Sequence, residues 1–215
     1  GLSATVREPQ SLADWLDVRS GAGEVRVLTA EGGVSADVDI LISKQRIPWS
    51  GHSGRFAVPE VYEAIKKATM TLVFVNTRSQ AELMFQELWH ANEDGLPIAL
   101  HHGSLAREQR TKVEAAMAAG ALKAVVCTST LDLGIDWGEV DLVIQMGAPK
   151  GAARLIQRIG RANHRMDEAS RAVLVPTNRF EVLECRAAEA AVEAGEVTPG
   201  DWSTALVSLQ AVARD

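Results

Sequence analysis

Apolar residues alternate along this chain between short continuous runs and longer stretches with helical spacing. Short runs of β-branched and other apolar residues are typical of buried strands, and a spacing of three to four is typical of helices. The predicted strands cover residues 24–30, 36–42, 71–76, 97–102, 122–129, 140–146 and 172–176. The predicted helices cover residues 9–18, 79–95, about 106–120, 151–162 and 178–195. Strands that alternate with helices predict an α/β fold, a doubly wound parallel sheet with helices on both faces.

The helix over residues 79–95 has the clearest signals at its ends. Ser79 and Glu82 are spaced as a capping box, and Gly95 and Pro97 follow as a stop. One face of this helix is apolar and is predicted to pack in the core. It consists of Ala81, Met84, Phe85, Leu88 and Trp89. Trp15 lies on a similar apolar face, whereas Trp49, in the breaker-rich loop 48–54, is the best candidate among the tryptophans for exposure near a ligand.

Composition narrows the classes of function. The 215 residues are 47% hydrophobic and carry a formal net charge of −6, so nucleic acid would have to be bound by a local patch. No run approaches the ~20 apolar residues of a membrane span, and the chain opens GLSATV without a methionine, as expected of an excised fragment. The spacing of Cys127 and Cys185 fits no zinc site. Cys127 lies in an apolar run and is expected to be a buried free thiol, and free thiols favour a cytoplasmic location.

A basic cluster, QRIGRANHR, occupies residues 157–165. On one helix, Gln157, Arg161 and His164 would share a face, with Arg158 and Arg165 on a neighbouring stripe. Guanidinium groups match phosphate oxygens bidentately, so the face suits a triphosphate. The alternative is an exposed basic face paired with glutamates. Because the chain contains no GxxxxGK[ST] phosphate loop, the cluster indicates an arginine finger that serves a nucleotide held by another domain.

Polar residues follow three of the predicted strands, where the loops of an α/β sheet carry function. Hydroxyls, amides and backbone N–H groups there can hold a nucleic-acid backbone without reading its bases. These residues are Asn76, Thr77, Arg78, His102, Gly103, Thr128 and Ser129. Two alternatives stay open: Thr128 and its neighbours as an ordinary helix cap, and His102 as a satisfied loop histidine.

Four stretches together resemble motifs IV, IVa, V and VI of superfamily 2 helicases. They are LVFVNTR (residues 72–78), HHGSL, TSTLDLGIDWGEVDLVIQ and QRIGRANHR, and SAT (residues 3–5) resembles motif III. PWSGHSGRFAVPEVYEAI, RIGRANHR and VPTNRFEVLECRAA resemble, more narrowly, the ligase-associated DEXH-box DNA helicases of the large helicase-related (Lhr) family. The resemblance implies the second RecA-like domain of a P-loop NTPase-type motor.

For chemistry, the resemblance implies ATP-driven translocation on single-stranded DNA, or on a duplex with a 3′ tail, with 3′-to-5′ unwinding in DNA repair. ATP and Mg²⁺ would be held mainly by the first RecA-like domain. Arg161 would be the arginine finger, Gln157 would face the γ-phosphate or its water, and either His164 or Arg165 would take the second finger position. Arg158 would brace motif V through a carboxylate.

The resemblance also assigns the remaining positions. Gly134 and Asp136 would lie near ATP, Arg110 and Thr128 on DNA, and the coupling residues would be Ser3, Ala4 and Thr5. For Arg110 an ordinary exposed helix arginine stays open as the alternative, because the glutamine of the family's motif is not in register. Residues 1–20 would be the tail of the first RecA-like domain, 21–197 the second, and 198–215 a linker and the start of a winged-helix domain. A DNA repair ligase or nuclease is a further possible partner, and no membrane is expected.

Two rival functions remain from the sequence. One is a non-catalytic nucleic-acid or protein binding module derived from a helicase half, which the shift at His164 favours. The other is a dinucleotide-binding enzyme, which the lack of GxGxxG after any strand disfavours. The isolated fragment is expected to lack ATPase activity, because the phosphate loop and the metal-binding acids lie outside it.

Overall fold

The computed structural model describes residues 36–132, 140–162 and 170–194. These ranges contain a parallel sheet whose strands are β1 (Asp37–Ile40), β2 (Met70–Phe74), β3 (Ile98–His101), β4 (Ala124–Cys127), β5 (Val140–Met146) and β6 (Arg171–Val175). The strand order is β1-β6-β5-β2-β4-β3, and every pair is parallel. The carboxyl ends of all six strands therefore meet at one edge, where the predicted polar residues follow β2, β3 and β4.

Five helices cover the sheet within the described ranges. They are α1 (Val58–Lys67), α2 (Arg78–Ala91), α3 (Arg107–Ala118), α4 (Ala152–Ile159) and α5 (Arg179–Glu193), with short 3₁₀ turns at Arg55–Ala57 and Ser129–Leu131. The predicted strand 24–30 and helix 9–18 lie outside the described residues. Helix α1 was not predicted from the sequence, although Val58, Val61, Tyr62 and Ile65 are spaced as a helical stripe and are buried.

The side chains of each strand alternate between two separate cores. On β2 and just after it, Val73 and Val75 pack with residues of α1 and α2 on one face. Leu72 and Phe74 point to the other face and pack with residues of α3, α4 and α5. Because both faces are covered, β2 is buried along its whole length, which is typical of a central parallel strand. The doubly wound α/β prediction is confirmed.

The start of α2 differs from the prediction. The capping box is formed by Thr77 and Gln80, not by Ser79 and Glu82: the Thr77 hydroxyl accepts from the Gln80 backbone N–H at 3.2 Å, and the Gln80 side chain accepts from the Thr77 backbone N–H at 3.1 Å. Strand β2 ends at Phe74, two residues before its predicted end at Asn76, so Thr77 can take the cap position of α2.

The predicted core face of α2 is only partly correct. Ala81, Met84 and Leu88 are buried, and Phe85 packs against the same core, but Trp89 is 59% exposed. Trp89 lies in the last turn of α2 and rests on Phe85, with ring centroids 6.0 Å apart. A residue in the last turn of a helix can have the spacing of the apolar face and still remain exposed, as Trp89 does.

Both cysteines are buried free thiols, as predicted for Cys127. Burial raises the pKa of Cys127, and burial raises the pKa of Cys185 to about 12, so neither is a reactive thiolate at neutral pH. None of the described helices is both long and apolar enough to span a bilayer.

Candidate functional site

A buried arginine joins helix α4 to the segment that follows β4. Arg158 is 2% exposed, and its Nε donates to Oδ1 of Asp132 at 2.8 Å. Its Nη1 donates to the side-chain oxygen of Gln145 on β5, and its guanidinium lies over the ring of Phe74, 4.6 Å from the centroid. The prediction that Arg158 braces motif V through a carboxylate is confirmed. Arg154 approaches the same carboxylate at 3.6 Å.

Gln157 and Arg161 lie on and just beyond α4, and both are half-buried. The predicted helix over 151–162 ends earlier, at Ile159, because Gly160 caps it and the chain continues as a turn. In that turn the Arg161 backbone N–H donates to the Arg158 carbonyl at 2.9 Å. The expected helix therefore does not continue to Arg161, whose position is set by a turn anchored to Arg158. His164 lies outside the described residues, so its place on a shared face stays a prediction.

Thr128 and Ser129 follow β4 at the carboxyl edge. Thr128 is the first residue before the 3₁₀ turn Ser129–Leu131, and its side chain makes no capping hydrogen bond to that turn. The helix-cap alternative is therefore not seen for Thr128. Ser129 is exposed and Thr128 half-buried, so both lie at the surface of this edge.

Thr130 differs from its two neighbours because its hydroxyl is hydrogen-bonded to a buried side chain. It lies 2.8 Å from Nδ1 of His101, and Nε2 of His101 lies 3.1 Å from the carboxylate of Glu114 on α3. A carboxylate only accepts, so Nε2 carries the proton and Nδ1 accepts from the Thr130 hydroxyl. His101, which is buried, thus ties motif V to β3 and α3. This role of His101 was not predicted from the sequence, which pointed to His102; the pair of adjacent histidines at the end of β3 was the available signal.

His102 is also buried, at 2% exposure, and its Nδ1 accepts from the backbone N–H of Ser104 at 3.3 Å. Its Nε2 lies 3.5 Å from the carboxylate of Glu82, outside hydrogen-bonding geometry. Burial lowers the pKa of His102, while the charge of Glu82 raises it. His102 is buried, but only its Nδ1 has a hydrogen-bond partner, so the alternative of a satisfied loop histidine is met only in part, and a DNA contact by this side chain stays a prediction.

Gly103 and Arg110 lie beyond His102. Gly103 is exposed, and a Cβ there would meet only the Thr130 methyl at 3.7 Å. Arg110 is half-buried on α3, and its Nε, although buried, has no hydrogen-bond partner among the described residues. An unsatisfied guanidinium nitrogen is costly to bury, which is consistent with a ligand contact at Arg110.

The residues after β2 form the other part of the edge. Asn76 donates from Nδ2 to the carbonyl of Ala148 at 2.9 Å and so ties the β2 loop to the β5 loop. Thr77 caps α2 and is exposed. Arg78 is exposed and pairs with Glu82 one turn later at 2.8 Å. Thr77 and Arg78 are thus exposed at the edge where Thr128 and Ser129 follow the adjacent strand β4, while the amide of Asn76 is bonded within the protein.

The loop over residues 48–54 folds against the same edge. The carbonyl of Gly51 accepts from Nδ2 of Asn178 at 3.0 Å, and His52 Nδ1 lies 3.2 Å from the carboxylate of Glu181. Trp49 is 64% exposed, which confirms its predicted exposure. A cleft of about 460 Å³ separates this loop from the loops after β2 and β5. It is lined by Ser50, Gly51, His52, Asn76, Ala148, Pro149, Lys150, Asn178, Phe180, Glu181 and Glu184.

The loop needs glycine at position 54. Gly54 has φ of 64°, and a Cβ there would lie 2.6 Å from the terminal methyl of Met146 and 3.3 Å from the methyl of Thr177. Gly54 therefore lets the loop end directly against the strand ends of β5 and β6.

Several predicted site residues lie outside the described residues. They are Ser3, Ala4, Thr5, Gly134, Asp136, His164 and Arg165. Trp15 and Trp137 lie outside them as well. In the described ranges, His, Cys, Asp and Glu side chains form no group of three that would hold a metal ion.

Comparison with known proteins agrees with these motifs. Residues 57–166 match the model of the helicase conserved C-terminal domain family. The Lhr helicase and probable uracil glycosylase of Mycolicibacterium smegmatis is 31% identical over 92% of this chain, and the ATP-dependent helicase Lhr-Core of Sulfolobus acidocaldarius is 34% identical over 86% of it. The chain spans only 15% and 22% of these two relatives.

The fold is also similar to that of a solved relative. The structure of Mycobacterium smegmatis helicase Lhr bound to ssDNA and AMP-PNP superposes with a TM-score of 0.82 at 33% identity. The match covers 94% of this chain and 27% of that one.

Proposed function

Because this chain belongs to the helicase conserved C-terminal domain family, as an Lhr-type member of superfamily 2 with a RecA-like fold, we propose that it is the second motor domain of an ATP-dependent DNA helicase. In this proposal, residues 21–197 form that domain, residues 1–20 end the first RecA-like domain, and residues 198–215 lead into a winged helix. ATP binds between the two RecA-like domains, and single-stranded DNA crosses the carboxyl edge of the sheet.

The observation that carries the proposal is the buried contact between Arg158 and Asp132. Asp132 lies four residues after Thr128, which we assign to DNA, and Arg158 lies three residues before Arg161, which we assign to ATP. A motor requires a rigid connection between the two segments, because hydrolysis of the nucleotide at one segment has to change the contacts with DNA at the other. Gln145 and Phe74 complete the connection from inside the sheet.

At the nucleotide, Arg161 acts as an arginine finger. Its guanidinium meets the negative charge that develops on the transferring phosphoryl group, an effect worth ~10³–10⁵ in rate. Gln157 orients the attacking water or the γ-phosphate, and His164 or Arg165 supplies a second contact. Gly134 and Asp136 border the nucleotide. Mg²⁺, like ATP, is assigned mainly to the preceding domain, and none of these roles depends on the metal.

At the DNA, the contacts are to phosphates and sugars. Asn76, Thr77 and Arg78 contribute from the β2 loop, and Thr128 and Ser129 from the β4 loop. Gly103 and Arg110, with the His102 segment, contribute from the β3 loop and α3. Backbone contacts of this kind are independent of base sequence, as a motor that steps along any DNA requires.

The proposal also includes four more specific features of the full-length protein. They are 3′-to-5′ polarity, a role in DNA repair with a ligase or nuclease partner, coupling through Ser3, Ala4 and Thr5, and a cytoplasmic location.

The test is steady-state ATP hydrolysis by the full-length protein and by this chain alone, each with and without single-stranded DNA. We expect DNA-stimulated turnover by the full-length protein and background turnover by the chain alone. Full-length protein that binds DNA but does not hydrolyse ATP would contradict the motor and favour the binding module. Turnover by the isolated chain would contradict the division of the site between domains.

A further inference from the structure

Trp49 is a large aromatic side chain that the fold leaves in solvent. It is 64% exposed, although a tryptophan indole is among the most favourable groups to bury. Its ring is held by a cation–π contact: the guanidinium of Arg179 lies over the ring, 4.3 Å from the centroid. One face of the ring is thus supported by a cation from the first turn of α5, while the rest of the ring remains available.

The backbone around Trp49 is held from the same helix. The backbone N–H of Arg179 donates to the carbonyl of Pro48 at 3.0 Å, and its Nε donates to the carbonyl of Ile47 at 3.3 Å. On the other side of Trp49, Asn178 donates to the carbonyl of Gly51 at 3.0 Å. An exposed ring that is already fixed loses little conformational entropy when a ligand packs on it, which favours binding.

The loop that carries Trp49 is also tied to a proposed DNA-binding element. Nε2 of Gln80, in the capping box with Thr77, donates to the carbonyl of His52 at 3.1 Å. The adjoining cleft is lined by Asn76 from the β2 loop and by a second exposed aromatic, Phe180, which is 64% exposed. Exposed aromatic side chains beside polar backbone-binding groups are the arrangement that single-stranded nucleic acid uses for base stacking.

The charges around the cleft favour a base over a phosphate as its occupant. Glu181 and Glu184 line the cleft and would repel a phosphate. Glu181 accepts from the Thr177 backbone N–H at 2.8 Å and contacts His52, so it is fixed in place. An exposed cation, Lys150, lines the cleft, and a second exposed cation, Arg46, lies three residues before Trp49 in the sequence. A strand whose phosphates follow the rim would direct a base toward the ring.

We propose that Trp49 stacks on a nucleobase of single-stranded DNA and, with Arg179 behind it, forms a binding platform of this domain. The proposal rests on the proposed function, since it deepens the DNA contacts assigned there. It assigns to the 48–54 loop a contact with bases, whereas the motif residues contact the backbone.

The first test compares the affinity of full-length variants for two ligands of equal length: single-stranded DNA and an abasic sugar-phosphate strand. Trp49→Ala should weaken binding to DNA by roughly 5- to 100-fold and leave binding to the abasic strand unchanged. Trp49→Phe should retain part of the affinity. Trp89→Ala is the matched control, because Trp89 is similarly exposed but lies at the far end of α2, and it should bind as wild type does.

The outcomes separate this proposal from the one on which it rests. If wild type does not bind single-stranded DNA, the proposed function itself fails. If wild type binds and Trp49→Ala binds equally well, or loses affinity for DNA and abasic strand alike, stacking by Trp49 is refuted. If Trp49→Ala instead lowers the melting temperature of the full-length protein and leaves DNA affinity unchanged, Trp49 packs on a protein domain, which also refutes stacking.

A second test reports the contact directly. Single-stranded DNA that carries 5-iododeoxyuridine is crosslinked to the full-length protein by light, and the product is digested with trypsin. Cleavage after Arg46 and Arg55 releases residues 47–55, a peptide with Trp49 as its only tryptophan. We expect crosslinked DNA on this peptide, at Trp49. Crosslinks confined to other peptides would overturn the proposal even if Trp49→Ala changed the affinity.

Discussion

Asp132 and Arg158 form a buried ion pair that joins the end of β4 to helix α4. Nε of Arg158 lies 2.8 Å from Oδ1 of Asp132, and Nη2 lies 3.5 Å from Oδ2. Both side chains are almost fully buried, so neither charge can be solvated by water if its partner is removed.

We expect Asp132→Ala to lower the free energy of unfolding by about 3–5 kcal/mol, because it leaves the Arg158 charge buried without its carboxylate. Urea unfolding of the variant measures this. Arg154→Ala is the matched control: Arg154 lies 3.6 Å from the same carboxylate but is 43% exposed, so its loss should cost under about 1 kcal/mol. Equal effects of the two substitutions would show that the buried pair is not the main connection.

The contact between His101 and Thr130 gives a second prediction. Thr130→Val keeps the shape of the side chain but removes the hydroxyl that donates to Nδ1 of His101, so a buried acceptor loses its partner. We expect a loss of about 1–3 kcal/mol in unfolding free energy and a raised KM for single-stranded DNA in ATP hydrolysis. Thr130→Ser keeps the hydroxyl and is the control. A Thr130→Ser variant as impaired as Thr130→Val would mean that the methyl, not the hydrogen bond, matters.

His102 gives a prediction on pH. Burial lowers its pKa in the folded protein below the unfolded value of about 6.5, so the unfolded chain binds more protons at mildly acidic pH. Stability from this group is therefore complete above about pH 6.5 and declines as the pH falls toward the folded pKa. Glu82, which raises the pKa of His102, and Arg78 and His101, which lower it, are the titratable groups that face it.

The measurement is the free energy of unfolding of wild type and His102→Gln from pH 7.5 down to pH 5. We expect the wild type to lose more stability over this range than the variant, because glutamine does not titrate there. If the free energy of unfolding fell equally with pH in the wild type and in the variant, a lowered pKa at His102 would be contradicted.

The parallel sheet was predictable because its strands are short apolar runs separated by helical spacing, and β5 matches its predicted bounds, 140–146. Arg158 was predicted to brace motif V through a carboxylate, but only the structure identifies that carboxylate as Asp132. Trp49 was predicted to be exposed because glycines and a proline surround it.

Other features depend on three-dimensional neighbours that spacing does not encode. Thr77 and Ser79 are both good caps, and the choice between them is set by where β2 ends. Trp89 has core spacing, but its position in the last turn of α2 leaves it exposed. His101 and His102 are adjacent in sequence, and only the position of Glu114 on α3 decides which of them holds Thr130.

The central claim is that Arg161 acts on ATP and not on DNA. The most direct measurement is kcat for DNA-stimulated ATP hydrolysis by the full-length protein with Arg161→Ala, together with its Kd for single-stranded DNA. Arg154→Ala, a substitution on the helix α4 that precedes Arg161, serves as the control. We predict that Arg161→Ala lowers kcat by about 10³-fold or more and changes the Kd less than about threefold. A kcat near that of wild type with a strongly weakened Kd would contradict the account.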